Sequence, residues 1–259
     1  MDKQSDVKID LEKCVGCGKC VKDCPEYNIV MENKKADIKK SRCLKCGHCV
    51  AICPRNAVSI PEYDEKEIIS IREEDKLNAD TLLRVIKGGR SIRRFKDIPV
   101  EIEKLQQIIE AGRYTATASN SQDVSYIVIT EKNKEIEREA VKLLRVLKKP
   151  LGLFLPIVRS SNVDDEFFFK DAPAIIVILS NNKVNGALAA SNMELMAEAL
   201  GLGTLYSGFF TAAVNISSKL RRMLNMEKGQ KVVTTMVIGY PNVKYIRTAP
   251  RKKAVVKFV

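Results

Sequence analysis

Beyond Cys53 the chain has no cysteine; all eight lie between Cys14 and Cys53. A disulfide framework spread through the body is thereby excluded, and any thiolate chemistry is confined to one end. No run approaches the roughly 18 consecutive apolar residues of a membrane helix. The opening Met1-Asp2-Lys3-Gln4-Ser5-Asp6 is too polar for a signal peptide, so a cytoplasmic protein without a membrane partner is expected. Neither a G-x-G-x-x-G fingerprint nor a G-x-x-x-x-G-K-[ST] loop occurs, which argues against a Rossmann dehydrogenase and an ATPase. Acidic residues are scarce at the far end, where residues 219–259 hold one against 11 basic residues within a net charge of +12. No recognition motif accompanies that charge, so nucleic acid is not the expected partner, whereas phosphate binding by two or three of these residues is compatible with it. With 45% hydrophobic and 29% charged residues, the chain has the composition of a globular protein rather than a disordered one.

The cysteines form two copies of C-x2-C-x2-C-x3-C-P at an interval of 29 residues, Cys14-Val15-Gly16-Cys17-Gly18-Lys19-Cys20 to Cys24-Pro25 and Cys43-Leu44-Lys45-Cys46-Gly47-His48-Cys49 to Cys53-Pro54. In such a run three thiolates from one short turn meet three iron corners of a cubane, and the fourth cysteine ligates the other cluster. The expected sets are therefore crossed. Cys14, Cys17, Cys20 and Cys53 hold one 4Fe–4S cluster, and Cys43, Cys46, Cys49 and Cys24 hold the other. Zinc knuckles use pairs of C-x2-C hooks and have no need of a doubled triplet. Four thiolates complete each site, which leaves His48 outside the ligand set. Gly16, Gly18 and Gly47 let the backbone pass close to a cluster.

The chain divides by pattern into a small cysteine-bearing unit over residues 1–60, a linker over 61–74 and a large body over 75–259. In the body, Leu82, Leu83 and Ile86 punctuate one helix, and Ile102, Leu105, Ile108 and Ile109 mark another ending near Gly112. Strands are expected at Val124 to Ile129, Ala174 to Leu179 and Val232 to Ile238. Helices are expected around Val141, Leu144 and Leu147, from Gly186 to Leu200, and from Ser217 to Leu224. The pattern is α+β or three-layered. The low charge of the Gly186 to Leu200 helix suggests burial on most faces, as in an oligomer.

A second site is suggested by Gly88-Gly89-Arg90-Ser91-Ile92-Arg93, where a glycine hinge precedes hydroxyl and guanidinium donors suited to a phosphate. The run Thr115-Ala116-Thr117-Ala118-Ser119-Asn120-Ser121-Gln122 offers small polar groups to the heteroatoms of a flat cofactor. Taken alone, each is equally compatible with a capped turn or a polar loop. Taken in order with Gly201-Leu202-Gly203-Thr204, Tyr206-Ser207-Gly208-Phe209 and Ile238-Gly239-Tyr240-Pro241, they resemble the FMN-dependent nitroreductase family over about residues 75–259. A module resembling a bacterial two-cluster ferredoxin precedes them.

This resemblance implies an α+β, nitroreductase-like three-layer sandwich with a small N-terminal ferredoxin-like domain, forming a homodimer with FMN at the subunit interface. It maps the FMN phosphate and ribityl contacts onto Arg90, Ser91 and Arg93. The loop along the flavin maps onto Thr117, Ser119, Asn120 and Gln122, and the turn near the isoalloxazine onto Ser207 and Gly208. Basic residues after the last strand, Arg251 and Lys252, correspond to further phosphate contacts. Two positions depart from the pattern: Gly89 stands where many relatives carry a second arginine, and Asp123-Val124 replaces the usual Pro-Trp. Phe167, Phe168 and Phe169 are compatible with a lid over the flavin or with packing on the body.

The implied activity is an oxidoreductase that relays electrons between NAD(P)H or a reduced ferredoxin, two 4Fe–4S clusters and FMN, reducing a nitroaromatic or quinone-like acceptor. No side chain is assigned as a catalytic acid or base, since the cofactors carry the chemistry. The alternative is an electron-transfer or redox-sensing flavoprotein without a dedicated small-molecule acceptor. Two clusters and an FMN phosphate, each near −2, would offset about half of the chain's formal charge.

Overall fold

A computed structural model of the chain describes residues 7–39, 43–153 and 156–259; the polar opening hexapeptide lies outside the described residues. Contacts divide the chain into two units, Met1–Lys76 with Thr117–Ser121, and Leu77–Ala116 with Gln122–Val259.

In the first unit, β1 (Lys8–Ile9), α1 (Lys19–Asp23), β2 (Ile29–Glu32), β3 (Lys35–Ile38), α2 (His48–Ala51) and β4 (Val58–Ser59) follow in chain order. β1 pairs antiparallel with β4, and β2 with β3. The β2–β3 hairpin turns through Asn33 and Lys34 at φ 46° and 63°, the left-handed pair that a two-residue loop needs to match strand twist. Val7, Ile29, Ala36, Ala57, Val58 and Ile60 are buried together with Cys14, Cys20 and Cys49. So small a core supplies little folding free energy by itself. Residues 61–76 are exposed throughout and contain two short 3-10 turns.

The second unit runs through α3 (Ala79–Gly88), α4 (Ile102–Arg113), β5 (Ser125–Ile129), α5 (Asn133–Gly152), α6 (Pro156–Ser160), β6 (Ala174–Leu179) and α7 (Lys183–Ala199). It continues with β7 (Gly203–Tyr206), α8 (Gly208–Ile216), α9 (Ser218–Met223) and β8 (Val232–Gly239). The four strands form an antiparallel sheet in the order β5-β6-β8-β7. β6 is buried on both faces, and its period-2 alternation sorts side chains between two cores. Ala174, Ile176 and Ile178 pack with Leu105 and Ile108 of α4 and Met193 and Ala197 of α7. Ile175, Val177 and Leu179 pack with Val141 of α5, Phe210 of α8 and Leu220 of α9. The unit is therefore the expected α+β three-layer sandwich, helices on both faces of one sheet.

The expected elements recur with shifted ends where caps decide them. α7 begins three residues before Gly186, because the Asn182 side chain accepts from the Val184 N–H at 2.9 Å and caps the helix there. β7 and α8 carry too little local pattern to be read from sequence. β7 is four residues long and becomes a strand through its pairing with β8. Phe168 and Phe169 are 1% exposed and meet Phe210 edge-to-face with ring centroids 5.8 and 4.6 Å apart, so they are core residues and not a lid.

Candidate functional site

Two recesses in the first unit are lined by the two crossed cysteine sets. Cys24 joins Cys43, Cys46 and Cys49 around one, and Cys53 joins Cys14, Cys17 and Cys20 around the other. The crossing follows from the local turns. Gly18 and Gly47, at φ 68° and 74°, precede α1 and α2, reversing the chain in a conformation that costs glycine least. Each fourth cysteine is then carried by the outgoing helix to the opposite recess. Backbone N–H groups donate to the sulfurs with repeat symmetry: Asn28 to Cys24 Sγ at 3.3 Å and Ala57 to Cys53 Sγ at 3.2 Å, each four residues on. Lys45 N–H donates to Cys43 Sγ at 3.3 Å.

Burial pushes the Cys49 thiol up to about 11 and raises that of Cys20, whereas N–H groups of Ala36 and Gly16 hold Cys14 low. Among the described residues, no three His, Cys, Asp or Glu side chains close on a single metal ion. His48 is exposed at the rim.

In the second unit, a cavity of about 320 Å³ is lined by Gly89, Arg90, Ser91, Arg93, Glu194, Tyr245 and Arg251. The sheet edge builds its floor. Ser91 forms a parallel bridge with Thr204 of β7, and the Ile92 N–H donates to the Thr204 carbonyl at 2.8 Å. The segment continues along the end of β8, where the Lys96 N–H donates to the Tyr240 carbonyl at 2.8 Å. Arg90 reaches the Lys87 carbonyl at 3.2 Å through Nη1, but its Nη2 is buried with no hydrogen-bond partner. An unpaired buried guanidinium nitrogen is costly. Three guanidinium groups face one carboxylate here, so the cavity favours an anion.

Glu194 and Tyr245 were not singled out by sequence. Glu194 is one of only two acidic residues in the low-charge α7, and that rarity was the available signal. It accepts from Tyr206 Oη at 3.1 Å. Burial, and then the Glu194 charge, raise the Tyr206 phenol above its usual range.

The remaining expected residues fall elsewhere. Lys252 is exposed and outside the cavity lining. Ser207 is buried at the β7–α8 junction, and its N–H donates to the Thr235 carbonyl at 2.9 Å. Gly208 opens α8, where the first N–H groups lack intrahelical partners; a Cβ placed on it would meet nothing within 4 Å. Thr117, Ser119 and Asn120 group with the first unit, and Gln122 with the second. Ser119, Asn120 and Gln122 hold left-handed φ values of 52°, 51° and 47°, strain of the kind concentrated at functional sites. The Asn120 carboxamide donates to the Leu44 and Lys45 carbonyls, each at 3.0 Å.

The sandwich fold and the anion-seeking cavity at its sheet edge fit a protein that binds a phosphorylated cofactor. The sequence model of the nitroreductase family matches residues 86–240, and that of the 4Fe-4S dicluster domain matches residues 6–54. The chain belongs to the nitroreductase family, and the match to the dicluster domain lies ahead of the family domain.

It is 26% identical over 166 residues to the NADPH-flavin oxidoreductase of Vibrio harveyi, covering 62% of this chain and 65% of that one. It is 28% identical over 195 residues to the nitrobenzene nitroreductase of Ectopseudomonas oleovorans, covering 60% and 85%. The fold is similar to that of a nitroreductase with bound FMN from Bacteroides fragilis, with a TM-score of 0.59 and 18% identity over 71% of this chain and 100% of that one. A nitroreductase with bound FMN from Desulfitobacterium hafniense is similar at a TM-score of 0.56 and 22% identity over 70% and 100%. Among the described residues no helix is long and apolar enough to cross a membrane.

Proposed function

We infer that the chain is an FMN-dependent oxidoreductase that takes electrons from NAD(P)H or a reduced ferredoxin and reduces a small flat acceptor, a nitroaromatic or quinone-like compound. Two 4Fe–4S clusters in its N-terminal unit serve one-electron traffic. The observation that carries the reading is the convergence of Arg90, Ser91, Arg93 and Arg251, from opposite ends of the second unit, on one cavity. FMN, when bound, exchanges electrons both in pairs and singly, and a 4Fe–4S cluster exchanges them one at a time.

The chain's own residues supply binding and orientation. Arg90 offers its unpartnered Nη2 to the phosphate, Arg93 and Arg251 add charge, and Ser91 adds a hydroxyl. The Ser207 N–H is committed to Thr235, so the Gly208 N–H is the donor at that turn, and its missing side chain leaves room for a flat ring. Gln122 contributes from the loop after α4. Lys252 adds charge from outside the cavity. Each cysteine set fits a cubane, which needs thiolates at four separate iron corners rather than around one ion.

The working division is a cluster domain over 1–60, a linker over 61–74 and the flavin domain over 75–259. A homodimer belongs to the same reading, and α7 supports it by leaving Val184 and Leu188 exposed by 62% and 49% in a stretch of low charge. A cytoplasmic location suits unpaired thiols.

The deciding experiment is an anaerobic absorbance spectrum with iron, acid-labile sulfide and released-flavin assays. About eight iron, eight sulfide and one FMN per chain are expected. Sulfide well below that in anaerobically prepared protein would remove the clusters, and absence of flavin would remove the enzyme. Mixing with NADH and NADPH while following flavin bleaching separates direct hydride donation from supply through a low-potential ferredoxin.

A further inference from the structure

The Asn120 carboxamide grips the second cysteine array at a point with a direct line to one sulfur. Its Nδ2 donates to the carbonyls of Leu44 and Lys45, each at 3.0 Å, between Cys43 and Cys46. The Leu44 carbonyl and the Lys45 N–H are the two ends of one planar peptide unit, and that N–H donates to Cys43 Sγ at 3.3 Å. Hydrogen bonds therefore run from Asn120 through a single peptide to a thiol. A bond accepted at the carbonyl polarises the N–H opposite and makes it a stronger donor.

The local backbone shows why an outside hold is needed. Lys45 has φ 51°, in the left-handed region. The matching position of the first array is Gly16, at φ 69°, where glycine takes the conformation without side-chain strain. The second array places a lysine there, and a strained residue persists only where its surroundings fix it. Asn120 supplies donors to the carbonyls on both sides of the Lys45 Cα, and Tyr63 Oη donates to the Lys45 carbonyl at 3.2 Å. Among the described residues, Thr117–Ser121 is the only stretch after Lys76 that groups with the first unit.

We propose that Asn120 is a positioning residue for the second cluster: its carboxamide sets the N–H···S bond to Cys43, and so the reduction potential of the centre held by Cys24, Cys43, Cys46 and Cys49. The proposal rests on the two-cluster reading above. N–H bonds to cluster sulfurs stabilise the more negative, reduced state, so weakening one lowers the potential.

The test is a redox titration followed by electron paramagnetic resonance on the anaerobically purified full chain, with FMN affinity measured alongside. In Asn120→Ala, one of the two one-electron steps moves to lower potential by about threefold in its equilibrium constant, ~28 mV at 59 mV per tenfold, and the other stays in place. Asn120→Asp keeps the shape but turns a carboxylate toward the two carbonyls, and moves the same step further down. It also carries the test should the alanine variant fold poorly. Tyr63→Phe removes a donor from Lys45 and leaves Asn120 on Leu44, so its shift is the smallest of the three.

Unchanged potentials in both Asn120 variants, with only FMN affinity reduced, would overturn the proposal and make Asn120 a flavin contact alone. A Tyr63→Phe shift as large as that of Asn120→Ala would overturn the peptide relay. A wild-type chain with no 4Fe–4S signal would sink the two-cluster reading itself, and this proposal with it.

Discussion

Gly203 and Ile92 meet so closely that a Cβ on the glycine would lie 2.4 Å from Ile92 Cγ1. The contact seats the Arg90-Ser91-Ile92-Arg93 segment against β7, because Ser91 and Ile92 are the residues that bond to Thr204.

Gly203→Ala is expected to push this segment off the sheet edge at a cost of about 1–3 kcal/mol, the usual range for overpacking. FMN affinity should fall with it. Combining Gly203→Ala with Ile92→Ala should restore part of both, since residues in contact do not act additively. Thermal melts and flavin-fluorescence titration of the two single variants and the double variant measure this; strictly additive losses would show that the contact does not position the segment.

Arg90 should contribute most to FMN affinity within the cavity, because it alone presents a buried nitrogen without a partner. Arg90→Ala is expected to weaken FMN binding by roughly 10- to 100-fold, the worth of hydrogen bonds to a charged group. Arg90→Lys should recover only part of it, having no planar fork. Arg251→Ala should lose less, since that side chain is exposed, and Lys252→Ala should lose little. Dissociation constants at two salt concentrations check the order.

Glu137 ties the Phe168–Phe169 turn to α5, accepting their N–H groups at 2.8 and 2.7 Å. Burial pushes its carboxyl up to about 7 from 4.5, against the lowering effect of those two donors. The folded state therefore holds this proton more tightly than the unfolded state. The stabilisation is fully present below the unfolded value and lost as pH rises through about 7. Glu137→Gln keeps an acceptor oxygen and removes the titration. Relative to wild type, its unfolding free energy should improve by about 2 kcal/mol on going from pH 4.5 to 8, after allowance for solvent screening. A constant difference across that range, in denaturant melts, would exclude the assignment.

The crossed cysteine sets make paired substitutions informative. Cys24→Ser should perturb the centre built on the second array, and Cys53→Ser the centre built on the first, each lowering bound iron from about eight towards four. Spectra that show each substitution damaging the centre of its own array instead would reverse the pairing.

Legibility in the sequence tracked the range of the interactions involved. β6 was readable to its ends because six apolar residues in a row suit a strand buried on both faces, and the Ile102 to Ile109 helix because its apolar spacing repeats every three to four residues. The cysteine grouping was readable because spacing within each array dictates which sulfurs share a turn. β7 offered four residues bounded by glycine and no alternation, and its strand identity is conferred by β8. The fate of Phe167, Phe168 and Phe169 was open, since an aromatic run suits a lid and a core equally. Glu137 and Phe210 decide it from 31 and 42 positions away in the chain of Phe168.

The grouping of the thiols, the three-layer pattern and the R-S-x-R element could be read from residue order, because each is encoded by neighbours a few positions apart. The tertiary fold had to bring Arg251 into the cavity of Arg90 and to expose Lys252 beside it, although the two are adjacent in sequence. It also had to place the Asn120 carboxamide within hydrogen-bond reach of two carbonyls of a cysteine array. Such partnerships depend on packing summed over the whole chain, and neither partner carries a local sign of the other.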